Sequence, residues 1–120
     1  MDNESYNELF TLNDLSIDRE SYRRKVRTIY HTDWTVDNRG HIFNSRGTQV
    51  VPIPNWDGSL RVRPYYNGRQ VWRYVNDLVL RAFVGDAPTS KHVPWHRDGD
   101  RSNVALDNLS WQVLGKTNEN

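Results

Sequence analysis

The chain has 120 residues, a hydrophobic fraction of 36% and a mean hydropathy of −0.87, which together describe one domain with a modest core. Five Trp and six Tyr supply much of what that core can bury, and the complete lack of cysteine excludes disulfides and zinc–thiolate sites. There is no apolar run of membrane-spanning length and no basic-then-apolar leader, so the sequence points to a cytoplasmic protein with a formal net charge of +1.

Charge is distributed unevenly. Residues 1–20 carry six acids against Arg19 alone, a net of −5, while the other 100 residues carry 15 bases against 9 acids, a net of +6. Thirteen of the sixteen bases are Arg, whose planar fork suits phosphate and guanine edges better than Lys does. A basic body with an acidic arm fits a nucleic-acid binder, and ordinary solvated charge explains the same numbers equally well. The arm, 1–20, is polar and rich in Asn and Ser, with Leu9, Phe10, Leu12, Leu15 and Ile17 as its large apolar side chains.

A helix is predicted across 19–30, capped by Asp18 or Ser21, with Tyr22, Val26, Ile29 and Tyr30 as its apolar stripe. Trp34 to Asn44 reads as a tight hairpin turning over Asp37 to Gly40. Pro52, Pro54, Asn55, Asp57 and Gly58 mark a loop. Leu60 to Tyr66 and Arg69 to Val75 are β-like runs joined by Asn67-Gly68, the preferred pair for a type I′ hairpin. In that hairpin one face collects Arg61, Arg63, Tyr65, Gln70, Trp72 and Tyr74; the other collects Val62, Pro64, Tyr66, Arg69, Val71 and Arg73. The first set, guanidinium forks mixed with rings, suits a two-stranded ribbon in a DNA groove. Alternatively, Trp72 and Tyr74 pack on the following helix and the arginine stems lie over them.

That helix is predicted from Asn76, read as its N-cap, to Phe83, with Leu78, Val79, Ala82 and Phe83 as its buried face and Gly85 and Pro88 as its stop. The remainder, 92–120, reads as strand, ordered loop, strand (Leu109 to Leu114) and polar tail. The loop carries His96-Arg-Asp98-Gly-Asp100-Arg-Ser-Asn103-Val-Ala-Leu-Asp-Asn108-Leu-Ser-Trp111, which packs a histidine, carboxylates and two asparagines into a Gly-turned segment. Asp98-Gly-Asp100 lacks the third acid and distal Glu of an EF-hand, so a calcium site is not expected; a plain Asx turn is the simpler reading. Trp95 and Trp111 are expected in the core.

The run from His96 to Trp111 resembles the core of HNH nucleases of the phage and intron homing type. Two further stretches are similar to the same family in the same order. Trp34 to Gly47, with Trp34, Val36, Asn38, Gly40, Ile42 and Ser45, resembles a small module common in those enzymes, and Val75-Asn-Asp-Leu-Val-Leu-Arg-Ala-Phe resembles the helix that precedes their nuclease motif. Together the matches span roughly residues 34–118.

The resemblance implies an α+β fold: small hairpins, a central helix and a terminal HNH-like ββ unit lacking most of its closing helix, with 1–20 as an arm and 21–120 as the domain. It implies hydrolysis of a DNA phosphodiester with His96 as general base, Asn108 as the amide that orients it, and Asn118 as a ligand to Mg²⁺ or Mn²⁺. An imidazole titrates near operating pH, and an amide can orient it without adding charge. Asp98, Gly99 and Asn103 match the loop that shapes such a site. The sequence departs from the family at the residue before the histidine, where an Asp or Asn ligand normally stands and Trp95 stands here. Duplex DNA is the expected partner, with Arg61, Arg63, Arg69 and Arg73 on its backbone, and the acidic arm is expected to meet a protein, in the host cytoplasm if the chain is phage-encoded. The second expectation is a binding module that keeps the scaffold without cleavage, for DNA or for a host or phage protein; the third is a structural part of a larger assembly.

Overall fold

A computed structural model describes residues 25–29 and 32–113. The acidic arm, Asn118 and most of the helix expected across 19–30 lie outside these residues.

The first unit is a four-stranded antiparallel meander, β1 (Val26–Thr28), β2 (Thr35–Asp37), β3 (Ile42–Phe43) and β4 (Gln49–Val50), in that spatial order. The described part of the stretch expected to be helical is therefore β1, which pairs Val26 with Asp37, Arg27 with Val36 and Thr28 with Thr35. The apolar stripe at 26 and 29 misleads because Val26 is exposed while Ile29 is buried. Strand pairing with β2, and an Ile29 amide donating to the Trp34 carbonyl at 2.8 Å, override the weak helical preference.

The second unit is the Asn67-Gly68 ribbon. Strand β5 (Ile53–Pro54) pairs with β6 (Leu60–Val62), and β6 pairs with β9 (Arg73–Tyr74). Near the tip, β7 (Tyr65–Tyr66) pairs with β8 (Arg69–Gln70). The pairs Arg61–Tyr74, Val62–Arg73, Tyr65–Gln70 and Tyr66–Arg69 share one register, so β6–β9 is a single hairpin. It is interrupted at Pro64, which has no amide hydrogen, although its carbonyl still accepts from Val71 at 3.0 Å. Positive φ at Asn67 (52°) and Gly68 (82°) fits the expected type I′ turn.

Helix α1 (Val75–Phe83) leaves the ribbon directly, and the HNH-like unit follows as a hairpin of β10 (His92–His96) and β11 (Leu109–Val113), with a short 3₁₀ turn at Leu106–Asn108. Helix α1 packs against the meander, the ribbon and the β10–β11 hairpin. Being covered on several sides, it buries Val75, Leu78, Val79 and Leu80, whereas the sequence pattern assigns the buried face to Ala82 and Phe83 as well; those two are half-buried. Ile29, Val36, Ile42, Val62, Val104 and Leu109 complete the core around it. Trp111 packs on this core and donates its indole N–H to the Gly85 carbonyl at 3.1 Å, which ties the helix exit to β11. Trp95, expected inside, is 46% exposed. The architecture is α+β, as the sequence implies, and no described helix is long and apolar enough to cross a membrane.

Candidate active site

His96 closes β10 opposite Leu109. Its Nδ1 lies 3.1 Å from the carbonyl oxygen of Asn103, across the loop. A carbonyl can only accept, so in the neutral ring Nδ1 carries the hydrogen and Nε2 holds the lone pair. That is the tautomer a general base needs if it is to take a proton at Nε2.

The loop from Arg97 to Asn108 is closed by its own side chains. The Asn108 carboxamide donates to Asp98 Oδ1 at 3.0 Å and to the Asn103 carbonyl at 2.9 Å, and its Oδ1 accepts the Asp98 amide at 3.2 Å. Asn108 and His96 therefore meet at one acceptor, the Asn103 carbonyl, and the buried amide holds the atom that aims the ring. Asn103 donates its own side-chain amide to Asp98 Oδ2 at 2.7 Å. Asp100 accepts from Ser102 through both backbone and hydroxyl. These donors hold the Asp98 carboxyl below the ordinary 3.8, the Asn103 amide most strongly, then the Asp100 N–H; burial opposes them, and the Asn108 amide adds a smaller lowering. The Asp100 carboxyl is lowered first by the Ser102 hydroxyl and then by the Ser102 amide.

The meander braces this loop from outside. Leu106 donates its amide to the Asn38 carbonyl at 2.9 Å. Gly40, at φ 91°, sits so close that a Cβ there would lie 2.5 Å from Val104 Cγ2 and 2.7 Å from the Val104 carbonyl oxygen. The neighbouring turn is itself pinned by buried Asp37, which accepts from the Arg39 and His41 amides and from the His41 ring. At the loop tip, Arg101 reaches Asp57 at 3.2 Å.

One residue of the site escapes the sequence reading. Asn76, expected as a helix cap, lies inside α1, whose N-cap is Tyr74 with no side-chain cap bond. The Asn76 amide Nδ2 is instead 3.1 Å from His96 Nε2. Its place one residue after a strand end, on the helix that runs beside β10, is the only hint the sequence holds, and Asn is so common a cap that the hint points elsewhere.

The metal-ligating positions fare differently. The described residues do not form a cage for a divalent cation. Position 95 offers an indole, whose nitrogen lone pair is committed to the ring, and both Asp98 oxygens are taken by loop donors. No group of three or more His, Cys, Asp or Glu converges among the described residues.

The four candidate DNA-contacting arginines divide between the ribbon's two faces. Arg61 and Arg63 both stack on Trp72, with guanidinium carbons 4.2 and 4.8 Å from its ring centroid. Neither has a carboxylate partner among the described residues. Trp72 and Tyr74 are each 41% exposed and Tyr65 63%, so this face is open rather than packed on α1, and guanidinium groups, not the stems of the alternative reading, lie over the Trp72 ring. Arg69 and Arg73 are exposed on the opposite face, where Val62 and Pro64 are buried. Asn55 donates to the Tyr74 hydroxyl at 2.9 Å, which joins the 55–58 turn to the open face.

Comparison with known proteins agrees with this geometry. Residues 73–112, which hold the end of the ribbon, α1 and almost all of the β10–β11 unit, match a family described as HNH endonuclease. Among solved structures the fold is similar to the HNH homing endonuclease I-HmuI, in work on its DNA binding and cleavage, with a TM-score of 0.68 and 25% identity. That match covers 79% of this chain and 55% of the other, so the chain spans about half the length of that relative. No curated protein matches the chain. A family match over the histidine-bearing unit, residues 73–112, and a shared fold over most of the sequence make this chain similar to HNH endonucleases in that unit and in its architecture.

Proposed function

We propose that the protein binds duplex DNA and nicks it by hydrolysing a phosphodiester at His96. The observation that carries this reading is the aimed imidazole: Nδ1–H is fixed on the Asn103 carbonyl, and Nε2 is left as the basic nitrogen. In the reaction Nε2 takes a proton from water, the water oxygen bonds to phosphorus, and the bond from phosphorus to the leaving sugar oxygen breaks. A positioned base of this kind contributes roughly 10²- to 10⁴-fold in rate. The open ribbon face supplies backbone contacts through Arg61 and Arg63, whose paired positive charges over one indole suit a bound anion. Arg69 and Arg73 join them only where DNA wraps the ribbon edge. The family's requirement for Mg²⁺ or Mn²⁺ comes with this reading; Asn118 stands as its proposed ligand, and no step above runs through the ion. In the same reading the acidic arm, a poor match for a polyanion, meets a protein.

Trp95 favours a second reading, in which the scaffold binds DNA without cutting it. Supercoiled plasmid separates the two. Nicking that occurs with Mg²⁺ or Mn²⁺ and disappears in His96→Ala supports the endonuclease. A salt-sensitive gel shift that His96→Ala leaves intact, with no nicking under any condition, supports the binding module.

A further inference from the structure

The contact between α1 and the histidine has a chemical direction. His96 is approached from both ring nitrogens. The Asn103 carbonyl takes Nδ1–H at 3.1 Å, and the Asn76 carboxamide faces Nε2 at 3.1 Å. With Nδ1 carrying the hydrogen, Nε2 can only accept, so the Asn76 amide N–H is the donor. Both contacts favour the same tautomer. Asn76 is half-buried, and its backbone is fixed by the first turn of α1, between fully buried Val75 and buried Leu78.

We propose that Asn76 is a positioning residue for the hydrolytic step, resting on the endonuclease reading above. Its amide holds the lone pair of Nε2 in the direction that attacking water must come from, and it stands where that water binds. When DNA enters, water takes the Nε2 lone pair, and the freed amide N–H donates to the water oxygen or to the adjacent phosphate oxygen. The helix thereby adds a second amide to the reaction centre, from the side opposite Asn103 and Asn108. Among the described residues, the side chain that meets Nε2 is that of Asn76.

A merely structural link between α1 and β10 would predict something different, and two substitutions separate the cases. Asn76→Asp keeps the shape and can only accept, so it draws a hydrogen onto Nε2. Asn76→Ala removes the contact. Nitrogen-15 NMR of the His96 ring in the DNA-free protein reads the tautomer directly. The wild type should show hydrogen on Nδ1 and none on Nε2, Asn76→Ala the same tautomer with the Nε2 resonance moved by the loss of its donor, and Asn76→Asp hydrogen on Nε2. Single-turnover nicking under saturating DNA should fall about 10- to 100-fold in both variants, while DNA affinity by anisotropy stays at the wild-type value. The same ring pattern in all three proteins overturns the proposal, whether or not DNA is cut. So does full nicking by Asn76→Asp, or a loss confined to affinity. A wild-type chain that never nicks, yet shows the ring pattern shifting with Asn76, removes the endonuclease reading and leaves the contact between Asn76 and Nε2 established. Asn76→Gln guards against misfolding: a longer amide that can still donate should restore the wild-type ring pattern in part.

Discussion

Asn103 acts at two points: its carbonyl aims His96, and its side-chain amide holds Asp98. Asn108 grips both the carbonyl and the carboxylate, so a single change there should propagate to the ring. Asn108→Ala leaves the Asp98 amide without its partner and the Asn103 carbonyl with His96 alone in a part-buried corner, which should cost about 1 kcal/mol in urea unfolding. Asn108→Asp should be worse near neutral pH, because it sets a carboxylate against Asp98 in place of a donor. Acid tests the same loop. Asp98 and Asp100 titrate below the ordinary 3.8, and a group lowered in the folded state stabilises it above the unfolded value and loses that effect as pH falls through the folded one. Amide exchange over 97–108 should therefore stay slow down to the ordinary carboxylate range and quicken below it; acceleration beginning well above that range would refute the assignment. At this scale the sequence is half legible. The identities of His96, Asn103 and Asn108 follow from motif spacing, but that Asn108 reaches the imidazole through the Asn103 carbonyl depends on loop curvature. Asn76 is invisible because the α1–β10 packing that brings it to the ring is a tertiary fact.

Among the elements, the β6–β9 ribbon is the most readable. Asn67-Gly68 fixes its register, and strict alternation then fixes which side chains share a face. Alternation does not say which face is covered; the packing of Val62 and Pro64 decides that. If the open face meets DNA, the double variant Arg61→Ala/Arg63→Ala should weaken binding and flatten the salt dependence, by about 0.9 in log–log slope for each phosphate that no longer meets a guanidinium. Arg69→Ala/Arg73→Ala should change the slope less in the same anisotropy series, and an equal or larger change would assign DNA to the other face. Strand β1 shows where local reading fails. Val26 and Thr28 are β-branched and favour a strand, but three residues are too short a run to outweigh the helical spacing of 26, 29 and 30, and pairing with β2 decides the outcome. Helix α1 shows the reverse: its span is legible from periodicity, while Leu80 escapes because a helix covered on several sides buries more than one stripe.

In the whole molecule, the meander and the HNH-like unit approach tightly at Gly40 against Val104, next to the carbonyl that aims the ring. Gly40→Ala introduces both a side chain at φ 91° and a clash with backbone atoms of Val104. It should destabilise the fold by about 1–3 kcal/mol in thermal unfolding and, in the endonuclease reading, slow nicking beyond what the stability loss explains. A variant of wild-type stability and wild-type ring NMR would show that the two units do not depend on each other. Composition suggests an aromatic core, whereas the buried core is aliphatic with Trp34, Phe83 and Trp111 only packed against it, and composition does not locate such a junction, since contacts between distant segments leave no periodic trace. The loop from 97 to 108, finally, already satisfies Asp98, Asp100, Asn103 and Asn108 from within, before any nucleic acid arrives. In the endonuclease reading, association with a duplex would sacrifice little conformational entropy there, so the free energy gained from phosphate contacts would go to affinity rather than to building the site.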